Sequence, residues 1–231
     1  MQSLRPRVMM KNKKIRVGNL GDGGYVLPEC VMSCDSVLSI GIGHDVSFDL
    51  ELANKGMTIY QFDHTVDDTK QHEKFIFEKK GWSTKNDDLF VDIEYMISKI
   101  NNDGHQNPMI KFDIEGAELE ILSTIDEKKL KTFQVITCEL HWLDNLSNED
   151  YFETFSTAVH KLTKYHCPIH FHVNNYGSLR LIQGVPIPDV IEVSFLRKDL
   201  DVFIGFSSEQ IPGLLDYPNN PSAPDVLINL F

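Results

Sequence analysis

The chain has 231 residues, 42% of them hydrophobic, and 22 Lys and Arg against 34 Asp and Glu give a formal net charge of −12. This composition supplies the apolar side chains of one packed core and excludes disordered and fibrous proteins. The negative charge argues against binding to nucleic acid through its phosphates, so no nucleic-acid partner is predicted.

No run approaches the roughly 20 apolar residues that a membrane span needs. The basic amino end lacks the apolar core of a signal peptide, and the four cysteines form no paired clusters typical of metal sites. We therefore expect the cysteines to be reduced thiols. We also expect a cytoplasmic protein without a membrane span.

Strand and helix patterns alternate along most of the chain. Predicted strands lie at 37–40, 58–62, 75–77, 109–112 and 135–140, and helical patterns at 47–53, 93–100 and 116–131. Ser147 and Asp150 resemble a capping box for a further helix, whose buried stripe would hold Phe152, Phe155, Val159 and Leu162. We therefore expect repeated β-α-β units.

The last third of the chain changes character. Strand patterns at 170–173, 179–182 and 190–196 are joined by turns, and a proline-containing tail follows. Together with the first part, this predicts an α/β fold, an open, mostly parallel twisted sheet with helices on both faces and an antiparallel edge. Residues 1–36 are interpreted as an amino-terminal extension with a glycine-rich loop, and residues 37–231 as a single domain.

A Gly-x-Gly turn follows the first core strand. Gly41, Gly43 and His44 form this turn, which would let a ligand approach the backbone at a helix amino end, although a tight structural turn is the alternative. Asp63 ends the next strand 20 residues after Gly43, at a position where a carboxylate can accept hydrogen bonds from the hydroxyls of an adenosine ribose. Because Val46 replaces the third glycine of the dinucleotide motif, S-adenosylmethionine is favoured over a dinucleotide.

Acidic residues and a histidine follow the next two strands. Residues 111–118 read Lys-Phe-Asp-Ile-Glu-Gly-Ala-Glu, so Asp113 and Glu115 leave their strand on one face, whereas Glu118 and Glu120 are interpreted as helix-terminal charges. Glu139 and His141 share a face in the same way, and a histidine there can accept a proton near neutral pH.

Further polar residues could join this edge of the sheet. The side chains that could donate oxygen or nitrogen to a divalent ion are Asp113, Glu139, His141, His170, His172, Asn174, Asn175 and Glu192. Their spacing matches no metal-binding motif, so no metal is predicted. The glycine-rich loop at 18–27, with Gly23 and Tyr25, is either a hairpin turn or a lid over a ligand.

These motifs, in this order, resemble those of the FkbM-type S-adenosylmethionine-dependent methyltransferases. They comprise the segment 21–27, the Gly-x-Gly turn, Asp63, the acidic block at 111–118, Glu-Leu-His at 139–141 and Asn-Asn-Tyr at 174–176. The resemblance covers about residues 16–200, and the acidic block is its most specific part. It implies a class I, Rossmann-like methyltransferase sheet and O-methylation.

Position by position, the resemblance implies that Gly41, Gly43 and Asp63 hold the cofactor and that Asp113, Glu115 and His141 line its reacting end. Ser39 stands where many class I enzymes have an acid, so residues 22–25 are expected to help bind the methionine amino group.

We therefore predict an O-methyltransferase that acts on a hydroxyl of a sugar, nucleotide-sugar or polysaccharide precursor, as in capsule or lipopolysaccharide decoration. His141 or Asp113 is the expected base, His172 is a further candidate, and Glu139, Asn174 and Asn175 are expected to bind the acceptor. An NAD(P)-dependent oxidoreductase and a non-catalytic carbohydrate- or nucleotide-binding protein are the alternatives. A homodimer is compatible with the sequence.

Overall fold

A computed structural model describes residues 1–68 and 70–231. The strands are β1 (Arg7–Met9), β2 (Lys14–Val17), β3 (Tyr25–Pro28), β4 (Ser36–Ile40), β5 (Thr58–Phe62), β6 (Phe75–Glu78), β7 (Gly81–Trp82), β8 (Phe90–Val91), β9 (Pro108–Phe112), β10 (Val135–Leu140), β11 (His166–Val173), β12 (Leu179–Ile182), β13 (Val185–Pro188), β14 (Ile191–Arg197) and β15 (Phe203–Phe206). The helices are α1 (Ser47–Asn54), α2 (Ile93–Asn102), α3 (Glu118–Thr124), α4 (Glu127–Leu130) and α5 (Glu149–Tyr165).

Seven strands form the central sheet in the order β11-β14-β10-β9-β4-β5-β6. The five strands from β10 to β6 are parallel, whereas β14 runs antiparallel to both of its neighbours. This confirms the predicted mostly parallel sheet with an antiparallel edge. The chain leaves β4 towards β5 and later returns to β9 on its other side, so the strand order reverses beside β4, where open α/β sheets bind ligands.

The two faces of the sheet follow from alternation along its strands. Leu38, Ile110 and Ile136 pack on one face against apolar side chains of α2, α3 and α5. Val37 and Met109 belong to the opposite face, which α1 covers together with the hairpin of β2 and β3. Helices therefore lie on both faces, as predicted, but a hairpin completes the second layer.

That hairpin contains the glycine-rich loop. β2 and β3 pair antiparallel, and residues 18–24 connect them. Val17, Tyr25 and Leu27 are buried in the second core layer, so this segment contributes directly to the core of the sheet. The domain boundary after residue 36 stays a prediction.

The predicted single helix over 116–131 was wrong, because the chain breaks into α3 and α4. Ile125 adopts an extended ψ of 145° after α3, and the Asp126 side chain accepts a hydrogen bond from the Lys128 amide at 3.0 Å to start α4. Lys161 of α5 donates to the carbonyls of Ser123 and Ile125, at 2.7 and 2.6 Å. These bonds satisfy the carbonyl groups that the helix end leaves free.

Two details of α5 also differ from expectation. Asn148, rather than Ser147, caps the helix by accepting from the Tyr151 amide at 3.0 Å. Phe152 is 53% exposed, whereas Phe155, Val159 and Leu162 of the predicted stripe are buried. In the first turn Tyr151 packs on the core in place of Phe152.

The tail from residue 207 contains no regular strand and is closed by one bridge between Ile211 and Ile228. It carries polar side chains back to the antiparallel edge, where Asp216 contacts His170 and Asp225 contacts His172. Within the described ranges, none of the helices has the length and apolar character needed to cross a membrane.

Candidate active site

A cavity of about 480 Å³ lies at the carboxyl ends of β4, β5 and β9. Its volume falls within the range typical of small-molecule sites. Seven of the eight residues predicted to bind the cofactor line it: Gly23, Gly41, Gly43, His44, Asp63, Asp113 and Glu115. The eighth, Tyr25, is buried beside the cavity and stacks edge-on against Phe48.

Asp63 fixes the shape of the Gly-x-Gly turn. One carboxylate oxygen accepts from the amides of Ile42 and Gly43 at 3.0 and 3.1 Å, and the other accepts from the amide and hydroxyl of Thr65. Burial alone would raise the pKa of Asp63, but these hydrogen bonds outweigh it and lower that pKa. The carboxylate is therefore charged at neutral pH, and its four hydrogen bonds from the protein occupy the acceptor sites of both oxygens, so a ribose hydroxyl has to share or displace one of them.

The two glycines of the turn serve different needs. At Gly41, φ is +69° and a Cβ atom would lie 1.7 Å from the carbonyl oxygen of Asp113, so the ends of β4 and β9 touch there. At Gly43, φ is +57° and a Cβ atom would meet nothing within 4 Å. Gly41 is thus required by packing, whereas Gly43 leaves the backbone open to the cavity.

Two buried charged residues of the cavity lining were missed as site candidates. Lys111 is buried, and its ammonium group donates a hydrogen bond to the carbonyl of Gly41. This bond holds the Gly-x-Gly turn against β9. Asp49 of α1 is 2% exposed, accepts from Gln61 through one oxygen at 2.7 Å, and leaves Oδ1 without a hydrogen-bond partner. Asp49 lies inside an ordinary helical pattern, so nothing but its position in the first turn of the helix that follows the Gly-x-Gly motif marks it in the sequence.

At the Asp113 end of the cavity, four carboxylates surround one histidine. Nδ1 of His141 lies 3.0 Å from Glu118 Oε1, and Nε2 lies 3.3 Å from Glu139 Oε2, 3.5 Å from Glu115 Oε2 and 3.9 Å from Asp113 Oδ1. We call these five residues the acidic cluster. Glu118, interpreted from the sequence as a helix-terminal charge, is fully buried, whereas Glu120 is exposed.

The acidic cluster shifts the protonation of its members. Burial acts to lower the pKa of His141, but the hydrogen bonds to Glu118 and Glu139 raise it further than burial lowers it. Burial, reinforced by the charges of Asp113 and Glu192, raises the pKa of Glu139. With no other cation bound, His141 is protonated at neutral pH and has no free lone pair with which to act as a base.

Strained backbone follows both strands that carry the cluster. Glu115 and Trp142 have positive φ values of 60° and 61°, which non-glycine residues rarely adopt. Gly116 lies against the Trp142 ring, where a Cβ atom would approach to 2.6 Å. Such strain persists where the surrounding structure holds it, and it concentrates at functional sites.

The remaining predicted residues lie towards the carboxyl-terminal tail. Asn174 donates to Glu139, so it joins the cluster. Asn175 instead binds the tail, accepting from the Asn220 amide at 2.6 Å. His172 pairs with Glu192 at 2.9 Å and Asp225 at 3.1 Å, away from the cavity lining.

The chain belongs to the FkbM methyltransferase family, because residues 20–162 match the family model described as "Methyltransferase FkbM domain". It is therefore an S-adenosylmethionine-dependent methyltransferase, as the resemblance implied, rather than a nicotinamide-dependent oxidoreductase. No curated protein matches the sequence.

Several solved structures are similar to this chain at low identity. A fibrillarin pre-rRNA processing protein from Methanococcus jannaschii is 13% identical, with coverage of 71% of this chain and 67% of its own and a TM-score of 0.43. SMU.776, a putative methyltransferase complexed with SAH, is 8% identical, with coverage of 70% and 44% and a TM-score of 0.38. A putative SAM-dependent methyltransferase from Streptococcus mutans is 10% identical, with coverage of 82% and 56% and a TM-score of 0.39.

Proposed function

We propose that the protein transfers a methyl group from S-adenosylmethionine to a hydroxyl of a sugar, nucleotide-sugar or polysaccharide precursor. The observation that carries the proposal is the continuity of the site. One cavity is lined by Asp63, the carboxylate we assign to the ribose, and by Asp113 and Glu115, which belong to the acidic cluster.

The cavity lining fits the parts of an adenosyl cofactor. Phe62, Trp82 and Phe90 provide apolar and aromatic surface suited to an adenine ring, and Asp63 suits the ribose. Asp22 and Asp49 contribute carboxylates on the lining that suit the methionine ammonium group. Of these, Asp49 offers the unpartnered buried oxygen.

Bound S-adenosylmethionine supplies an electrophilic methyl group on a sulfonium sulfur. The chain must hold the acceptor oxygen in line with that methyl carbon and the sulfur, because orientation supplies much of the rate. The oxygen forms the new C–O bond, the electron pair of the S–C bond stays on sulfur, and the hydroxyl proton leaves.

The proton acceptor is a carboxylate of the acidic cluster. Asp113 lines the cavity, and its Oδ1 is buried without a hydrogen-bond partner. His141 orients the carboxylates as a cation and takes the base role only if its own proton is removed first. The predicted base role of His172 lacks support from the cavity geometry.

The acidic surroundings favour a neutral, hydroxyl-rich sugar ring at the reacting end, and Trp142 and Tyr176, which are 50% and 61% exposed, offer rings for stacking on such a sugar. The cytoplasmic location, the homodimer and the connection to surface polysaccharides are proposals from the sequence.

Methyl transfer from labelled S-adenosylmethionine to a panel of nucleotide-sugars tests the proposal. We expect label in a product that survives mild alkali, because an ether resists hydrolysis that cleaves a methyl ester. Label that is lost in alkali, or transfer to amines alone, would contradict O-methylation of a hydroxyl. The Asp113→Asn variant is the inactive control, and circular dichroism checks that this variant is folded.

A further inference from the structure

Three side chains of the acidic cluster have the geometry of a metal site. One ligand atom each from Asp113, Glu139 and His141 lies within 4.8 Å of the other two. Ligands on opposite sides of a divalent ion, each at about 2.0–2.2 Å, are separated by about 4.0–4.4 Å. A contraction of a few tenths of an ångström therefore brings all three atoms to coordination distance.

The charges of the cluster do not balance without a further cation. Four carboxyl groups surround a single imidazole, and among the described residues none of the four forms an ion pair with a lysine or arginine. Glu118 and Glu139 are buried, so water screens them poorly. A divalent cation beside His141 Nε2 would offset the excess of acidic groups.

The outer contacts of the three residues are those of metal ligands. His141 Nδ1 donates to Glu118 Oε1, which also accepts from the amides of Ile114 and Gly116 at 2.9 and 3.2 Å. This fixes the ring and leaves Nε2 as the ligand atom, the arrangement by which metal-binding histidines are oriented in proteins. Asn174 holds one oxygen of Glu139 and leaves the other towards His141.

An unsatisfied atom points to what the cluster lacks. Asp113 Oδ1 is buried without a hydrogen-bond partner, and it is the oxygen that lies 3.9 Å from His141 Nε2. Buried carboxylate oxygens are rarely left unpaired. An ion between Asp113 and His141 would satisfy this oxygen at the end of the cofactor cavity.

We propose that Asp113, Glu139 and His141 bind one divalent first-row metal ion, which holds the acceptor hydroxyl at the reacting end of the cavity. Two carboxylates and an imidazole favour Mn²⁺, Fe²⁺ or Zn²⁺ over the all-oxygen sites of Mg²⁺ and Ca²⁺. The role towards the acceptor rests on the proposed methyl transfer, whereas binding of the ion does not.

The ion changes which residue takes the proton. Coordination draws electron density from the acceptor oxygen and lowers the pKa of its hydroxyl. With Asp113 acting as a ligand, the proton passes to Glu115, an exposed carboxylate that releases it to solvent. The oxygen keeps the electron pair of its O–H bond and uses it for the new C–O bond.

Mn²⁺ titration of the full chain after chelator treatment tests the site. We expect one Mn²⁺ per chain by calorimetry, with nitrogen modulation from a bound imidazole in pulsed electron paramagnetic resonance. Glu139→Gln and His141→Gln should each weaken binding more than tenfold, and His141→Gln should abolish the nitrogen signal. The matched control is His170→Gln, since His170 is also a buried histidine paired with a carboxylate, at 2.7 Å from Asp216, but lies outside the cluster.

No Mn²⁺ binding by the folded wild type would overturn the proposal, as would equal weakening by His170→Gln and Glu139→Gln or a nitrogen signal that survives in His141→Gln. Circular dichroism confirms that each variant is folded. Binding of S-adenosylhomocysteine is measured on the same samples. If it binds while Mn²⁺ does not, the metal site is refuted and the methyltransferase proposal stands; the reverse result refutes the cofactor assignment and leaves the metal site intact.

Discussion

Replacing each glycine of the Gly-x-Gly turn with alanine separates packing from ligand access. Both residues have positive φ, so each alanine carries a similar backbone cost of about 1–2 kcal/mol. The new methyl group differs in its surroundings, because at Gly41 it would lie 1.7 Å from the Asp113 carbonyl oxygen, whereas at Gly43 it meets nothing within 4 Å.

The contact at Gly41 decides the magnitude. Overpacking costs about 1–3 kcal/mol, and the clash here is with backbone held by the β4–β9 pairing, so we expect the upper end, about 3 kcal/mol beyond the cost at Gly43. With a urea m value of about 3 kcal/mol/M, this corresponds to a midpoint about 1 M lower for Gly41→Ala than for Gly43→Ala.

Urea unfolding, monitored by circular dichroism, gives the midpoint of each variant. Titration with S-adenosylhomocysteine gives the affinity of each variant for the ligand. We expect the urea midpoint of Gly43→Ala to fall only by the amount that the backbone cost of a positive φ explains. The same substitution should weaken ligand binding, because its methyl group enters the open space of the cavity. Equal midpoints for the two variants would refute the assignment of Gly41 to strand packing.

Three further results are expected. Asp63→Ala should weaken binding of S-adenosylhomocysteine more than tenfold by calorimetry, while Asp67→Ala, in the same loop but exposed, should not; unchanged affinity in Asp63→Ala would remove the ribose assignment. Lys111→Met should reduce that affinity and lower stability by about 1–3 kcal/mol, because the Gly41 carbonyl loses its donor; a urea midpoint equal to that of the wild type would contradict this. Burial opposes protonation of His172, but Asp225 and Glu192 raise its pKa from 6.5 to about 10, so its stabilisation is fully present below pH 6.5 and is lost as pH rises through 10. The urea midpoint difference between wild type and His172→Gln should therefore shrink from pH 6 to pH 10, and a constant difference would refute it.

Much of the sheet could be predicted from local patterns. Buried parallel strands are nearly continuous apolar runs, so β4, β5, β9 and β10 stand out, and the acids that follow them fall at one edge of the sheet. The β2–β3 hairpin as part of the core could not be foreseen in the same way, because its packing depends on contacts with strands far along the chain.

The candidate site was predictable where a residue ends a strand and missed where a residue turns inward from a helix. Asp63, Asp113 and His141 follow strands directly, and the structure brings Asp113 and His141 together. Glu118 has the sequence position of an ordinary helix-terminal acid, but the left-handed Glu115 and Gly116 fold the preceding loop around it. Its partnership with His141 depends on that local backbone, which composition does not encode.

Titration of the purified protein with S-adenosylhomocysteine, with NAD⁺ as the comparison ligand, tests the central claim most directly. A cavity built from Asp63 and the Gly-x-Gly turn predicts one molecule of S-adenosylhomocysteine bound per chain, with a dissociation constant in the micromolar range, and no binding of NAD⁺. Binding of NAD⁺ alone would contradict the assignment of this cavity to a methyl donor.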